Sequence, residues 1–313
     1  MEALGQTVPM DIYLPVANLS VNALVIVLLG GGVGLLSGMF GVGGGFLTTP
    51  LLIFYGIPPT VAAASATTQV TGASVSGALA HYRRGGVDIP MGAVLVAGGV
   101  LGAIAGSGIF RVLQQFGQID TVINILYVVL LLGVGIPMAR EAVQSVAASI
   151  SGTALPAKKR RHHPAVAALP FRWRFYASGL YISPLAPLLL GFVTGIMTVL
   201  LGVGGGFIMV PAMLYILGMA TRVVVGTSLF QILFVTAATT MVHAVTTKAV
   251  DVVLAFFLLL GSVIGAQVGT RLAARFRPDY LRLLLAAIVL TVAFRMAIGL
   301  TWQPEELYTV QIL

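Results

Sequence analysis

Cysteine is absent from this chain of 313 residues, which excludes disulfides, thiolate metal ligands and cysteine nucleophiles. Charge is scarce as well: only 8% of the residues are charged, whereas soluble domains carry about 25%. Hydrophobic residues make up 58% of the sequence. A soluble protein could not cover its surface with so few polar side chains, but a chain surrounded by lipid needs no such cover. The composition therefore predicts an all-α polytopic membrane protein.

The few carboxylates limit the chemistry of the chain. Asp88, Asp120, Asp251 and Asp279 all fall at the ends of apolar stretches, so no carboxylate is placed in mid-membrane to relay protons. No spacing typical of metal ligands or of a nucleophile with its base is present, which predicts a protein that is not an enzyme and has no cofactor. The net charge of +8 comes from basic residues between apolar stretches, and no continuous face is predicted to bind nucleic acid.

Turn residues and charges divide the chain into two sets of five apolar stretches. These lie at 21–40, 46–57, 59–82, 90–112, 119–140, 184–201, 207–219, 223–247, 251–271 and 280–301. A polar segment separates the sets and contains a basic cluster at 158–163. We predict a first membrane repeat at 1–140, a basic cytoplasmic linker at 141–177 and a second membrane repeat at 178–313.

The two sets are copies of each other. The sequence GVGGGFLTTP, which begins at Gly41, matches GVGGGFIMVP, which begins at Gly202. Further pairs follow in the same order at a nearly constant offset: Gln69 with Gln231, His81 with His243, and Asp88 with Asp251. Chance does not preserve such an order over this length, so the sequence indicates an internal duplication.

The basic residues predict the orientation of the copies. If all ten stretches cross the membrane and the linker is cytoplasmic, the 17 Lys and Arg residues all lie inside except Arg111, Lys248 and Arg295. If the short stretches after the glycines are re-entrant instead, the excess of basic residues on the cytoplasmic side is smaller. Five crossings are an odd number, so the second copy enters from the opposite side. The sequence thus predicts an inverted repeat with both termini outside.

Each copy carries three consecutive glycines, and the apolar stretch that follows them is too short to cross the membrane as a single helix. As a helix, 46–57 is about 18 Å long, against a hydrocarbon core of about 30 Å. We expect the glycine runs 41–45 and 202–206 to be extended, which gives each repeat a broken helix. Unpaired amides at the start of the following half-helix would bind an anion, although close helix packing is the alternative. The candidate residues are Gly43, Gly44, Gly45, Gly204, Gly205 and Gly206.

Other glycines have a simpler role. We expect those at 98, 102, 106, 261, 265 and 269 to allow close packing of helices, as small residues do in membranes.

Polar residues in the next helix of each copy could donate hydrogen bonds to an anion without burying a formal charge. The alternative is hydrogen bonding between helices or to the helix's own carbonyls. The candidates are Thr67, Thr68 and Gln69 in the first copy and Thr227, Ser228 and Gln231 in the second.

His81 and His243 fall at helix ends on opposite membrane faces, where they could relay protons, take part in gating, or anchor the helices at the interface. Arg222 could attract anions at one end of a transport pathway, or it could be a cytoplasmic residue that sets the topology.

These motifs resemble those of a known family. The segments GLLSGMFGVGGGFLTTPLL at 34–52, GIMTVLLGVGGGFIMVPAM at 195–213 and GTSLFQ at 226–231 are similar to the TauE/SafE sulfite exporter family, also called the toluene sulfonate uptake permease family. The resemblance implies a multi-pass protein of a bacterial-type inner membrane that moves sulfite, sulfonates or related organosulfur anions. It places the site at residues 43–45, 204–206, 227, 228 and 231. The first copy reads ASATTQ where the second reads GTSLFQ, so the leading glycine is missing there.

We therefore expect an alternating-access transporter, and more specifically an exporter, of a small sulfur-containing anion, with the lipid bilayer as its surroundings. An anion channel, an uptake permease for sulfonates or small carboxylate anions, and a scaffolding subunit are the alternatives. A thiosulfate branch of the family depends on cysteines, which this chain lacks. The oligomeric state is left open.

Overall fold

The computed structural model describes residues 11–40, 44–151, 170–273 and 278–301. The first half opens with a hairpin of two antiparallel strands, and five helices follow it. The strands are β1 (Asp11–Leu14) and β2 (Leu19–Asn22), and the helices are α1 (Ala23–Phe40), α2 (Gly45–Phe54), α3 (Pro59–Arg83), α4 (Ile89–Gln115) and α5 (Ile119–Ser151).

The second half has the same order of elements. Its hairpin consists of β3 (Trp173–Phe175) and β4 (Leu180–Ile182), again antiparallel. Its helices are α6 (Leu185–Leu201), α7 (Gly206–Tyr215), α8 (Thr221–Val242), α9 (Val252–Ala273) and α10 (Pro278–Thr301), and a π-helical turn, His243–Thr247, extends α8.

Each of the ten predicted apolar stretches overlaps one of these helices. The structure differs from the prediction at two places. The hairpins were not predicted, because runs of three or four residues carry too little periodicity to identify a strand. Helix α5 continues to Ser151, into the segment predicted as a linker. The basic cluster at 158–163 lies outside the described residues.

Five of the described helices contain a segment long and apolar enough to cross a membrane, namely 89–115, 119–147, 223–247, 252–269 and 283–300. Helices α2 and α7 are apolar but have 10 residues each, about 15 Å, and neither can cross alone. Helix α3 is long but less apolar because it carries a run of Ser, Thr and Gln. The fold is that of an all-α multi-pass membrane protein with two small hairpins.

Glycines bring two pairs of helices into backbone contact. Helix α1 packs along α9, and a Cβ added to Gly34 or Gly38 would clash with the backbone of α9. Helix α4 packs along α6 in the same way, through Gly98 and Gly102. Added Cβ atoms at 106, 261, 265 and 269 would also meet backbone atoms of the partner helix. The predicted packing role of these glycines is confirmed.

These contacts group the helices into two packing units that cross the boundary between the halves. Unit A contains β1, β2, α1, α2 and α3 together with α9 from the second half, and a shared apolar core joins them. Unit B contains β3, β4, α6, α7 and α8 together with α4 from the first half, around a second core. The halves have thus exchanged their fourth helices.

The units meet along α3 and α8, which are antiparallel: Thr67 and Thr71 of α3 lie beside Thr240 and Thr236 of α8. Helices α5 and α10 pack on each other. They share a central apolar core with the first residues of α2 and α7. The starts of the two short helices are therefore buried at the centre of the protein.

Candidate functional site

The second glycine run is a break between two helices. Helix α6 ends at Leu201 and α7 begins at Gly206. Gly202, Gly204 and Gly205 have φ values of 71°, 72° and 77°, in the left-handed region that favours glycine. The run is therefore coiled and shorter than the extended segment that we expected. Two side chains of the first half fix the residue before this run: Thr49 and Tyr127 both donate hydrogen bonds to the carbonyl oxygen of Leu201.

The first glycine run is described only from Gly44 onward, so the prediction for Gly43 lies outside the described residues. Gly44 is the N-cap of α2 and Gly45 is already helical. A Cβ on Gly45 would lie 2.7 Å from the carbonyl oxygen of Gly202. The first and second glycine runs are thus in contact with each other.

Two phenylalanines mark the point where the short helices meet. Phe46 and Phe207, which follow the two glycine runs, stack with ring centroids 4.4 Å apart and planes at 5°. The first amides of α2 and α7 precede the first intrahelical hydrogen bonds and carry the positive ends of the helix dipoles. The two helix starts therefore lie close together inside the protein, and a helix start of this kind attracts anions.

Gln231 stands out among the predicted residues. Its side chain is fully buried, and neither Oε1 nor Nε2 has a hydrogen-bond partner among the residues that the structure describes. It projects from α8 toward α4, where a Cβ on Gly99 would lie only 3.3 Å from Nε2. An unpaired buried polar group costs about 1–3 kcal/mol. Such groups are rare in native proteins, and a bound water or ion is one of the reasons for them.

The matching residue of the first half, Gln69, is buried as well but has a partner. The hydroxyl of Thr48 in α2 donates to its Oε1 at 2.9 Å. The second half has Met209 at the position of Thr48, and a thioether has no hydrogen to donate. Sequence reasoning missed Thr48, although the mismatch between GFLTTP and GFIMVP was visible in the two copies.

Thr67 and Thr68 belong to a group of hydroxyls between the two units. Thr67 accepts a hydrogen bond from Thr240 at 3.2 Å, and Thr68 donates to Thr240 at 3.4 Å. Thr71 donates to Thr236 at 2.8 Å. The other end of the α3–α8 contact is apolar. The hydroxyls therefore form a polar strip along one part of the interface, which we call the threonine strip: Thr67, Thr68, Thr71, Thr236 and Thr240.

Thr227 and Ser228 are buried in α8 with bonds inside the protein. Thr227 accepts a hydrogen bond from the amide of Asp88 at 2.9 Å, and Ser228 donates to the carbonyl of Val225. In the first half, Ser65 accepts from the amide of Asp251 in the same manner, at 3.1 Å. These contacts have the geometry of the alternative role, hydrogen bonding between and within helices.

Asp88 and Asp251 lie at helix N-termini, as expected, but both are fully buried, which the sequence did not reveal. Asp88 caps α4 through Met91, and Asp251 caps α9 through Leu254. Each also accepts a hydrogen bond from the turn of the hairpin in the other half: Asp88 from Ser178 and Asp251 from Val16.

His243 is fully buried and uses both ring nitrogens: Nε2 lies 3.0 Å from the carbonyl oxygen of Val199, and Nδ1 lies 3.1 Å from the hydroxyl of Thr247. Its ring packs edge-on against Phe110. His81 lies in the last turn of α3, half-buried, next to Gly226 of α8. The side chain of Arg222 lies outside the described part of the structure.

Comparison with known proteins identifies the family. The model of the sulfite exporter TauE/SafE family matches residues 26–296, nearly the whole chain. The chain belongs to the TauE/SafE family. A "probable membrane transporter protein YjnA" of Bacillus subtilis (strain 168) is 30% identical over 273 residues, which cover 87% of this chain and 98% of that protein.

Other known proteins match as well. A "probable membrane transporter protein" of Xylella fastidiosa (strain 9a5c) is 27% identical, covering 91% of this chain and 97% of its own length. The "sulfite exporter TauE/SafE family protein 3" of Arabidopsis thaliana is 30% identical over 112 residues, 35% of this chain and 24% of that protein. No solved structure matches the chain. The family and these relatives establish a multi-pass membrane transporter.

Proposed function

We propose that this protein carries a small sulfur-containing anion, such as sulfite or an organosulfonate, by alternating access, and that it acts as an exporter. Two observations carry the proposal: the buried amide of Gln231, which has no partner among the described residues, and the contact between the two glycine runs at the starts of α2 and α7. An amide nitrogen, backbone amides and helix dipoles attract an oxyanion without a buried cation. An inside-negative membrane potential contributes about 2.3 kcal/mol per charge per 100 mV, sufficient to drive a monovalent anion out.

The directions of the helices support an inverted repeat. Helices α3 and α8 occupy the same place in the two halves and are antiparallel. Helix α1 runs parallel to α9, and α4 runs parallel to α6, as the order of their glycine contacts requires. Ten alternating crossings with the second half inverted satisfy all three relationships. Four crossings per half would make α3 and α8 parallel.

The two glycine runs would then act as the broken parts of two discontinuous crossings. Helices α2 and α7 supply about 15 Å each, and the coiled run before α7 lies against the start of α2 inside the protein. Irregular backbone at this depth is stable only where protein or a water-filled cavity surrounds it. The burial of Gly202, Val203, Gly204 and Gly205 meets that condition.

Transport by purified protein in lipid vesicles tests the proposal. We expect saturable sulfite or taurine flux that is stimulated by the same anion on the opposite side. Gln231→Met keeps the length of the side chain and removes the unpaired polar atoms, so flux should fall at least about tenfold while the melting temperature stays equal or rises. Wild-type vesicles that transport none of the sulfur oxyanions would contradict the proposal.

An anion channel is the main rival. Flux that rises linearly to high anion concentration, without stimulation from the opposite side, would favour the channel and exclude the carrier mechanism.

The inverted topology has a separate test that benefits from the absence of cysteine. Arg84 and Lys248 follow α3 and the π-turn of α8, at equivalent places in the two halves. Single Arg84→Cys and Lys248→Cys variants should react with impermeant thiol reagents from opposite sides of the membrane. Labelling from the same side would refute the inverted repeat.

A further inference from the structure

The two hairpins lie at equivalent places in the two halves but differ in charge. Each precedes the first helix of its half. The first hairpin, at 11–22, has one acidic residue, Asp11, and no Lys or Arg. The segment 171–182, which contains the second hairpin, has two basic residues, Arg172 and Arg174, and no acidic one. The two copies of this element therefore differ in the sign of their charge.

The second hairpin has one buried face and one exposed face. Phe175 and Leu180, which pair across the strands, are buried in the core of unit B. Arg174 pairs with Tyr181 and therefore lies on the opposite face. Tyr181 is 59% exposed and Tyr176 is 83% exposed, and the guanidinium of Arg174 lies 5.5 Å from the centroid of the Tyr176 ring. Together with Arg172, which is also exposed, these residues form a surface that we call the hairpin face: Arg172, Arg174, Tyr176 and Tyr181.

We propose that the hairpin face binds the headgroups of anionic phospholipids at the cytoplasmic surface of the membrane. Tyrosine is enriched at the level of the headgroups, where the ring meets an apolar layer and the hydroxyl meets water. Arginine binds phosphate oxygens through its planar fork of N–H donors. The assignment to the cytoplasmic side rests on the inverted topology proposed above, whereas the lipid contact itself does not.

Two helices hold the second hairpin at the level of the membrane surface. Only Ser183 and Pro184 separate β4 from α6. Ser178, in the turn of the hairpin, donates two hydrogen bonds to Asp88, the N-cap of α4. Helix α4 has 27 residues, about 40 Å, and exceeds the hydrocarbon core of about 30 Å. The start of α4 therefore reaches the headgroup region, and the hairpin is fixed there.

Charge complementarity favours an anionic lipid over a zwitterionic one. The cytoplasmic leaflet contains anionic lipids, and its negative surface potential attracts basic residues. A choline headgroup places a positive charge beside the phosphate, which weakens its attraction to arginine. The inverted topology places the first hairpin on the outer side, where its exposed Asp11 and Tyr13 supply no positive charge. The difference in charge between the hairpins thus matches the difference between the two leaflets.

Tryptophan fluorescence tests the proposal directly. The chain has two tryptophans, and Trp302→Phe leaves Trp173, which lies between the two arginines and is 60% exposed, as the reporter. This protein is placed in bilayers of phosphatidylglycerol and phosphatidylcholine, with one of the two lipids brominated near the headgroup end of its acyl chains. Bromine quenches a nearby tryptophan, so the two series give the relative binding of the two lipids at Trp173.

We expect phosphatidylglycerol to bind at Trp173 at least about fivefold more strongly than phosphatidylcholine, because basic residues near the surface attract anionic lipid. The double variant Arg172→Gln and Arg174→Gln should reduce this ratio to about one. The double variant Arg172→Lys and Arg174→Lys keeps the charge and should keep most of the preference. Melting temperatures in the same bilayers show whether the variants are folded.

The first hairpin supplies a matched control. Tyr13→Trp, in a chain that also carries Trp173→Phe and Trp302→Phe, places the reporter on the hairpin without basic residues. Its quenching should show no preference for phosphatidylglycerol.

Three results would overturn the proposal. Equal binding of the two lipids at Trp173 would show that the hairpin face does not select anionic headgroups. Absence of quenching by either lipid would show that the face lies in water. A preference that persists in the Gln variant would assign the lipid to other charges, such as the basic cluster at 158–163. Because no measurement here uses anion flux, these results are independent of the proposed transport function.

Discussion

The carboxylate of Asp88 in the first half accepts two hydrogen bonds from Ser178 in the second half, 2.9 Å from its amide and 2.6 Å from its hydroxyl. Ser178 lies in the turn between β3 and β4. Asp251 accepts a bond from the amide of Val16, in the turn between β1 and β2, at 3.0 Å. Each hairpin is therefore tied to the N-terminus of a helix from the other half.

Asp88→Ala should destabilise the protein by about 2–4 kcal/mol, because it removes a helix cap and leaves buried donors unpaired. Ser178→Ala should cost less, since one hydroxyl bond is lost and the backbone bond is kept. Melting in detergent measures both effects. Equal stability of Asp88→Ala and the wild type would show that the carboxylate does not hold the hairpin.

Two glycines of α1 provide a matched pair for the close packing against α9. A Cβ on Gly34 would clash with the backbone of Ser262, whereas a Cβ on Gly32 meets nothing within 4 Å. We expect Gly34→Ala to lower the melting temperature strongly, because one of two packed backbones must move. Gly32→Ala should be neutral or slightly stabilising, since alanine favours the helix. Similar melting temperatures would contradict the packing role.

The second glycine run allows a graded test of its backbone conformation. Gly205→Ala has room for a Cβ, 3.4 Å from that of Thr194, but φ is positive there. It should cost about 1–2 kcal/mol. Gly202→Ala combines the same strain with a clash against the backbone of Ala63, so its loss of stability should be clearly larger. The reverse order would show that the run is not folded as described.

The threonine strip predicts where the two packing units must separate in an alternating-access cycle. The hydroxyls of Thr71 and Thr236, one in each unit, are 2.8 Å apart. A Thr71→Cys and Thr236→Cys double variant should form a disulfide on oxidation and lose anion flux, and reduction should restore the flux. The single variants serve as controls. Full flux with the disulfide formed would show that the units do not move apart at this position.

Much of this fold follows from the sequence, because lipid makes hydrophobic length a strong signal. The ten apolar stretches gave the positions of the ten described helices. The small residues at 98, 102, 106, 261, 265 and 269 pack against backbone, as their spacing predicted.

Other features depend on contacts between residues that are distant in the chain. The hairpins are too short to be recognised from sequence, and the Asp88 and Asp251 carboxylates are buried only because a turn from the other half covers them. The same holds for Gln231, whose buried amide has no hydrogen-bond partner among the described residues. The sequence shows that residue 231 is polar, but only the packing of the surrounding helices shows whether its amide has a partner.

The exchange of fourth helices has a consequence for each half taken as a separate chain. Without α9, the first half would expose the glycine face of α1, and without α4 the second half would expose that of α6. An isolated half could bury this surface only by receiving the fourth helix of another copy. The architecture is in this sense that of an intertwined dimer whose two subunits have been joined into one polypeptide.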